Sequence, residues 1–152
     1  MSSAEREAPG PTLLIVEDEI LPAIALKDEL EDAGYRVMDL TARQEEALEA
    51  IRHCKPDLAL VNITLYGRND GIELARRLKE QDIPVLFISG QVSRARTART
   101  VAIGSPPKPY RCTDMVLAVN YLLAHLQGDD SLPKPERLEV FHGELNAAAD
   151  AA

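Results

Sequence analysis

Residues 12–19 read TLLIVEDE: four consecutive apolar side chains, Leu13 to Val16, run directly into three acids. A strand with one wet face alternates apolar with polar, so an unbroken run of this kind suits a strand covered on both faces of a parallel sheet. The pattern recurs over residues 58–63 and 85–88. A diluted version spans residues 37–40, where Arg36 and Asp39 intrude as they would on an edge strand. Between these runs the apolar period changes to that of a helix: Ala23, Leu26, Leu30 and Ala33; then Ala47, Leu48, Ile51 and Cys54; then Ile72, Ala75 and Leu78. Gly34 sits where the first helix should stop, and Pro56 and Pro84 stand just before strands. Thr113 with Asp114 is the expected N-cap of a last helix striped by Met115, Val116, Val119, Leu122, Leu123 and Leu126. Strands alternating with helices over short joints imply right-handed crossovers and a doubly wound, three-layer α/β sandwich.

Two stretches fit this alternation less well. Residues 91–111 leave room for a short helix and then a poor fifth strand ending near Pro106-Pro107. Proline donates no ladder hydrogen bond, so that strand is expected at the sheet edge or as barely a strand. After Gly128 comes a polar, proline-bearing linker. Leu138, Phe141 and Leu145 then repeat at helical spacing behind Pro135, which predicts a short extra helix over 135–146 and a frayed Ala-rich end. The expected organisation is a flexible N-terminus (1–11), one domain (12–127) and an acidic tail (128–152).

The 152 residues suffice for one full core, and 45% hydrophobic with 28% charged residues excludes wholesale disorder. No apolar run nears the roughly 20 residues of a membrane span, and the first residues, MSSAEREAPGP, carry no export signal. A cytoplasmic protein without a membrane partner is expected, with Cys54 and Cys112 as thiols rather than a staple. The net charge of −8 opposes nonspecific nucleic-acid binding, and half of it lies after Gly128, a segment too short and acidic for a DNA-binding domain. No nucleic-acid partner is therefore expected. Between Asp82 and Asp114 there is no acid, while Arg94, Arg96, Arg99, Lys108 and Arg111 all fall there. That basic stretch is either a solvated face or a surface for an acidic partner.

In an open parallel sheet, ligands bind beyond the carboxyl ends of the strands. Those ends carry Glu17-Asp18, Asn62, Ser89 and Lys108. Paired carboxylates are hard oxygen ligands suited to magnesium, and a hydroxyl with an ammonium holds phosphoryl oxygens. Each piece has a plainer explanation: acids favouring a helix N-terminus, a turn serine, a surface lysine, an amide satisfied by backbone. Four together are harder to dismiss, because each costs free energy to bury unless the others pair it. His53, His125 and His142 show no ligand spacing with the cysteines.

VEDE at 16–19, GRNDGIELARRLKE at 67–80, PVLFISG at 84–90 and KPY at 108–110 together resemble a bacterial response-regulator receiver domain over about residues 12–127. The resemblance implies a flavodoxin-like (βα)5 fold with sheet order 2-1-3-4-5. It implies magnesium held at Glu17, Asp18, position 62 and Thr64, with a phosphoryl group accepted at position 62 from a sensor histidine kinase or phosphotransferase. Ser89 would sense that group, Lys108 would pair with it, and the Lys108-Pro109 peptide would be cis.

The sequence departs from the family pattern at the acceptor, which is Asn62 rather than aspartate. An amide cannot form the acyl phosphate, and the strand-end charge falls to −2 from −3, so any magnesium site is expected to be weak. The switch position, usually aromatic, is Ser105, and the span from Ser89 to Lys108 is short. PVLFISG with that short span is similar to a subgroup of stand-alone receivers whose fourth-strand motif reads FATG. Three readings follow: a non-enzymatic, stand-alone pseudo-receiver; a phosphorylatable receiver carrying an introduced Asp-to-Asn change; or a magnesium-dependent phosphatase or phosphotransferase using Asp18. The last is disfavoured because Ile20 stands where such enzymes place a second aspartate. A homodimer through the face formed by residues 91–126 is a further expectation.

Overall fold

The parallel centre of the sheet follows from strands that are apolar on both sides. A computed structural model describes residues 10–66, 70–88, 99–106 and 111–151. The strands are β1 (Thr12–Val16), β2 (Arg36–Thr41), β3 (Leu58–Val61), β4 (Val85–Phe87), β5 (Gly104–Ser105) and β6 (Glu139–Val140). The helices are α1 (Ile20–Asp32), α2 (Gln44–His53), α3 (Asp70–Glu80), α4 (Cys112–Leu126) and α5 (His142–Ala151). The sheet runs β2-β1-β3-β4-β5-β6, so the expected order 2-1-3-4-5 holds and gains one strand. The first five strands pair in parallel, and β6 is antiparallel to β5.

Side chains alternate between the two faces with the strand period of two. Leu13, Ile15, Leu58 and Leu60 join Leu26 and Leu30 of α1 and Val119 and Leu122 of α4. Leu14, Val16, Ala59 and Val61 join Ala47 of α2 and Leu74 and Leu78 of α3. Every residue from Leu13 to Val16 and from Leu58 to Val61 is fully buried. Each large aliphatic side chain so placed contributes about 1.5–3 kcal/mol. Strand β2, carrying Arg36 and Asp39, is an edge strand as expected.

Helix ends are set by local chemistry. Gly34 takes φ +101° beyond α1. Its N–H donates to Glu31 O (3.0 Å) and the Tyr35 N–H to Leu30 O (3.1 Å), the paired bonds that close a helix on a glycine. Helix α4 begins at Cys112, ahead of the expected cap. Thr113 is therefore inside the helix, and Asp114 caps by reaching back to accept the Arg111 N–H at 2.9 Å.

The tail departs most from the sequence reading. In place of one helix over 135–146, residues 139–140 form β6 and a helix begins at His142, running through the Ala-rich end to Ala151. The spacing of Leu138, Phe141 and Leu145 fits a short extended piece followed by a helix as well as it fits one helix. Pairing with the β5 backbone decides between them: Gly104 lies opposite Val140 and Ser105 opposite Glu139. Strand β5, two residues long, is consequently not at the edge. Gly104 is what lets β6 approach, since a Cβ there would lie 2.9 Å from Glu139 O. Just ahead of β1, Pro11 O accepts the Arg36 N–H at 3.0 Å. The short helix expected after Gly90 and the Lys108-Pro109 peptide lie outside the described residues. No described helix is long and apolar enough to cross a membrane.

Candidate functional site

Parallel pairing of β1 with β3 sets Val16 beside Val61, which brings the next residues, Glu17 and Asn62, together at the sheet's carboxyl end. The backbone ladder continues through both: the Glu17 N–H donates to Thr41 O and the Asn62 N–H to Val16 O, each at 2.9 Å. The Asn62 amide Nδ2 then donates to both carboxylate oxygens of Glu17, at 3.1 and 3.0 Å. Its Oδ1 accepts the Thr64 N–H at 3.0 Å, which fixes which way the amide points. The Glu19 N–H donates to Glu17 Oε2 at 3.1 Å. Glu17 is 7% exposed, and burial pushes its carboxyl pKa up, opposed by the hydrogen bonds from Glu19 and Asn62.

Asp18 lies nearer solvent. Its partial burial acts to raise the pKa, but the hydrogen bond from the Tyr66 N–H, with smaller help from its surroundings, outweighs that and holds it low. The Tyr66 N–H reaches Asp18 Oδ2 at 2.9 Å because Tyr66 adopts a left-handed φ of 53°. A non-glycine residue in that conformation is strained. The Arg43 guanidinium stacks 4.4 Å above the Tyr66 ring and helps hold it. Helix α3 presses on the same corner: a Cβ on Gly71 would lie 2.0 Å from Asn62 O, and the Gly71 N–H donates to Ile63 O at 3.0 Å.

Of the residues singled out in the sequence, Glu17, Asp18, Asn62 and Thr64 are thus brought together. Ser89 and Lys108 lie outside the described residues. Strand β4 does direct the chain to this end, the Ile88 N–H donating to Val61 O at 3.0 Å. Ser105 is 3% exposed on β5, where β6 pairs with it. Sequence reasoning missed Tyr66, Arg43 and Gly71; only the glycine, standing at the start of an amphipathic helix, carried a signal of close backbone approach.

The donor set does not fit a magnesium ion as it stands. Both Glu17 oxygens face N–H donors, which present positive charge where a cation would sit, and Asn62 Oδ1 is already engaged by Thr64. The amide satisfies Glu17 in the way a bound cation would. No group of three or more His, Cys, Asp or Glu placed to hold a metal exists among the described residues. At position 62 the corner therefore presents an amide, engaged on both its nitrogen and its oxygen, in place of a carboxylate.

Comparison with known proteins agrees with the fold. The family model for the response regulator receiver domain matches residues 13–120. The phosphate regulon transcriptional regulatory protein PhoB of Pseudomonas aeruginosa is 32% identical over 129 residues, covering 80% of this chain and 56% of that protein. Chemotaxis protein CheY of Thermotoga maritima is 28% identical over 116 residues, covering 73% of this chain and 96% of that one. The signal receiver domain of a modulated diguanylate cyclase from Desulfovibrio desulfuricans G20 superposes with a TM-score of 0.68 at 33% identity, over 76% of this chain and 95% of that one. The chain spans about half the length of the first curated regulators it matches, 56%, 48% and 45% of them.

Proposed function

The chain belongs to the response regulator receiver domain family, and from that premise we propose that it is a pseudo-receiver: it signals by protein contact and accepts no phosphoryl group. The observation that carries this reading is the pair of hydrogen bonds from the Asn62 amide to Glu17. An aspartate at position 62 would set two carboxylates about 3 Å apart, a contact that like charges tolerate only with a cation between them or a shared proton. The amide removes that demand. The corner holds its shape without magnesium, whose binding here is weak at most, and the chain is not an enzyme.

The partner is a sensor histidine kinase or a phosphotransferase, met in the cytoplasm. Ile20, Leu21 and Ile24, 63%, 75% and 41% exposed, project from the first turns of α1 directly after Glu17 and Asp18. Exposed aliphatic side chains clustered on one helix are the usual mark of a contact surface. By resemblance, Ser89 and Lys108 would close the other side of the corner and Ser105 would stand at the switch position.

Acetyl phosphate with magnesium, followed by intact-mass measurement, tests this reading. The unaltered chain gains no phosphate, and hydroxylamine-labile phosphate on it would end the proposal. The intact surround of Asp18 and the Thr64 N–H favours a second reading, in which the site works once the acid is restored. Phosphate gained by Asn62→Asp alone would support it. Phosphomonoester turnover lost in Asp18→Ala would instead point to an enzyme.

A further inference from the structure

The tail seats on β5 and beside Lys79 within one molecule. Strand β6 closes the edge of β5 through Gly104–Val140 and Ser105–Glu139, and the Phe141 N–H donates to Ile103 O at 3.0 Å. Leu138, Phe141 and Leu145 are buried, and Glu144 pairs with Lys79 at 2.9 Å. The Arg99 guanidinium lies 5.9 Å from the centre of the Phe141 ring. The connector is the opposite. Residues 127–137 are exposed, Pro135 alone being half-buried. Its hydrogen bonds join near neighbours, such as Asp129 N–H to Ala124 O, Ser131 to Asp129, and Lys134 to Leu138 O. Under α5 lies a cavity of about 600 Å³ floored by Ile83, Val85, Ile103 and Leu126 and bordered by Ala147 and Ala148.

A well-fitted strand and helix, joined to the body by a connector that makes almost no contact with it, can dock on another copy and lose nothing in contacts. We propose that a second copy of this chain supplies its tail to β5, so that two molecules pair by reciprocal exchange of residues 138–151. The occupant is defined by what already fits: an acidic segment with a two-residue strand opposite Gly104 and a carboxylate for Lys79. It is a different contact from the face-to-face dimer over 91–126 expected from sequence, since it runs along the edge of β5 that β6 takes here. The proposal is independent of what happens at Asn62.

Single-cysteine chains test it, with Cys54 and Cys112 changed to serine. Ser105→Cys on one chain and Glu139→Cys on another lie opposite each other only if the tail of one seats on β5 of its neighbour. After oxidation, the mixture should give a disulfide-linked heterodimer about tenfold more abundant than the dimer from either variant alone, rising with protein concentration. The two changes combined in one dilute chain should close within that chain. Internal closure without any heterodimer in the mixture overturns exchange. Failure of internal closure overturns the seating itself, and a dimer that never links 105 to 139 assigns the contact to another face and also overturns the proposal. Removing residues 129–134 shortens the connector and should shift the chain to dimer at low concentration; a chain that stays monomeric overturns the proposal.

Discussion

The middle of the sheet and its far edge are built on different terms. Strands β1 and β3 share four register pairs, are fully buried, and are covered by helices on both faces. Strands β5 and β6 are two residues each, and β5 meets β4 at the single pair Leu86–Gly104. The centre is stabilised by side chains its own sequence supplies. The edge is complete only when residues about 35 positions further along return to it. A fold can thus carry a rigid site at its centre and a conditional element at its border within one sheet.

The sharpest way to break that contrast is to cut a cavity on each side of it. Leu60→Ala empties a fully buried position on β3 and should lower global stability by about 3–4 kcal/mol in chemical denaturation. Phe141→Ala removes a larger side chain yet should cost clearly less, because the tail can leave while the centre stays folded. Amide exchange should then accelerate across residues 138–151 and not across β1 and β3. Equal costs would mean that edge and centre unfold as one unit. Gly71→Ala comes next, at about 2–3 kcal/mol by the same assay, since its Cβ would collide with the backbone of Asn62 and Ile63.

The same division governs what could be read without coordinates. β1, β3 and β4 announce themselves because a continuous apolar run is a local property, and Gly34 and Pro84 mark their neighbours for equally local reasons. Glu17, Asp18 and Asn62 could be placed at one end because parallel strands align their ends. The bond from the Asn62 amide to Glu17 needed the register of two strands 45 residues apart. β6 was hidden because extended backbone at residues 139–140 exists only where β5 offers an edge. Tyr66 was hidden because nothing about a tyrosine signals a left-handed backbone.

Within the rigid part, Asn62→Asp sharpens the contrast by adding a charge without changing size. The substitution takes the donor away from buried Glu17 and sets a second carboxylate against it. Stability without divalent ions should fall by about 2 kcal/mol, the cost of an unsatisfied buried acceptor. Added magnesium should recover that loss progressively, as any ligand binding only the folded state does. The unaltered chain should show little shift in Tm over the same titration. A large magnesium-dependent shift in the unaltered chain would mean that the amide does not satisfy Glu17.

The smallest effect belongs to the ion pair that ties the border to the body. Lys79 and Glu144 meet at 2.9 Å with side chains 46% and 21% exposed. Pairs so open to solvent contribute about 0.2–1 kcal/mol, less in high salt. Lys79 also donates to Thr100 O at 2.7 Å, so it keeps a partner when the carboxylate is lost. Glu144→Gln should therefore leave global unfolding unchanged and raise amide exchange only in β6 and α5, with the difference fading as salt is added. An effect that persisted in high salt would place the hold of Glu144 on the tail in shape and hydrogen bonding rather than in charge, and the acidic composition of the tail would then have no part in seating it.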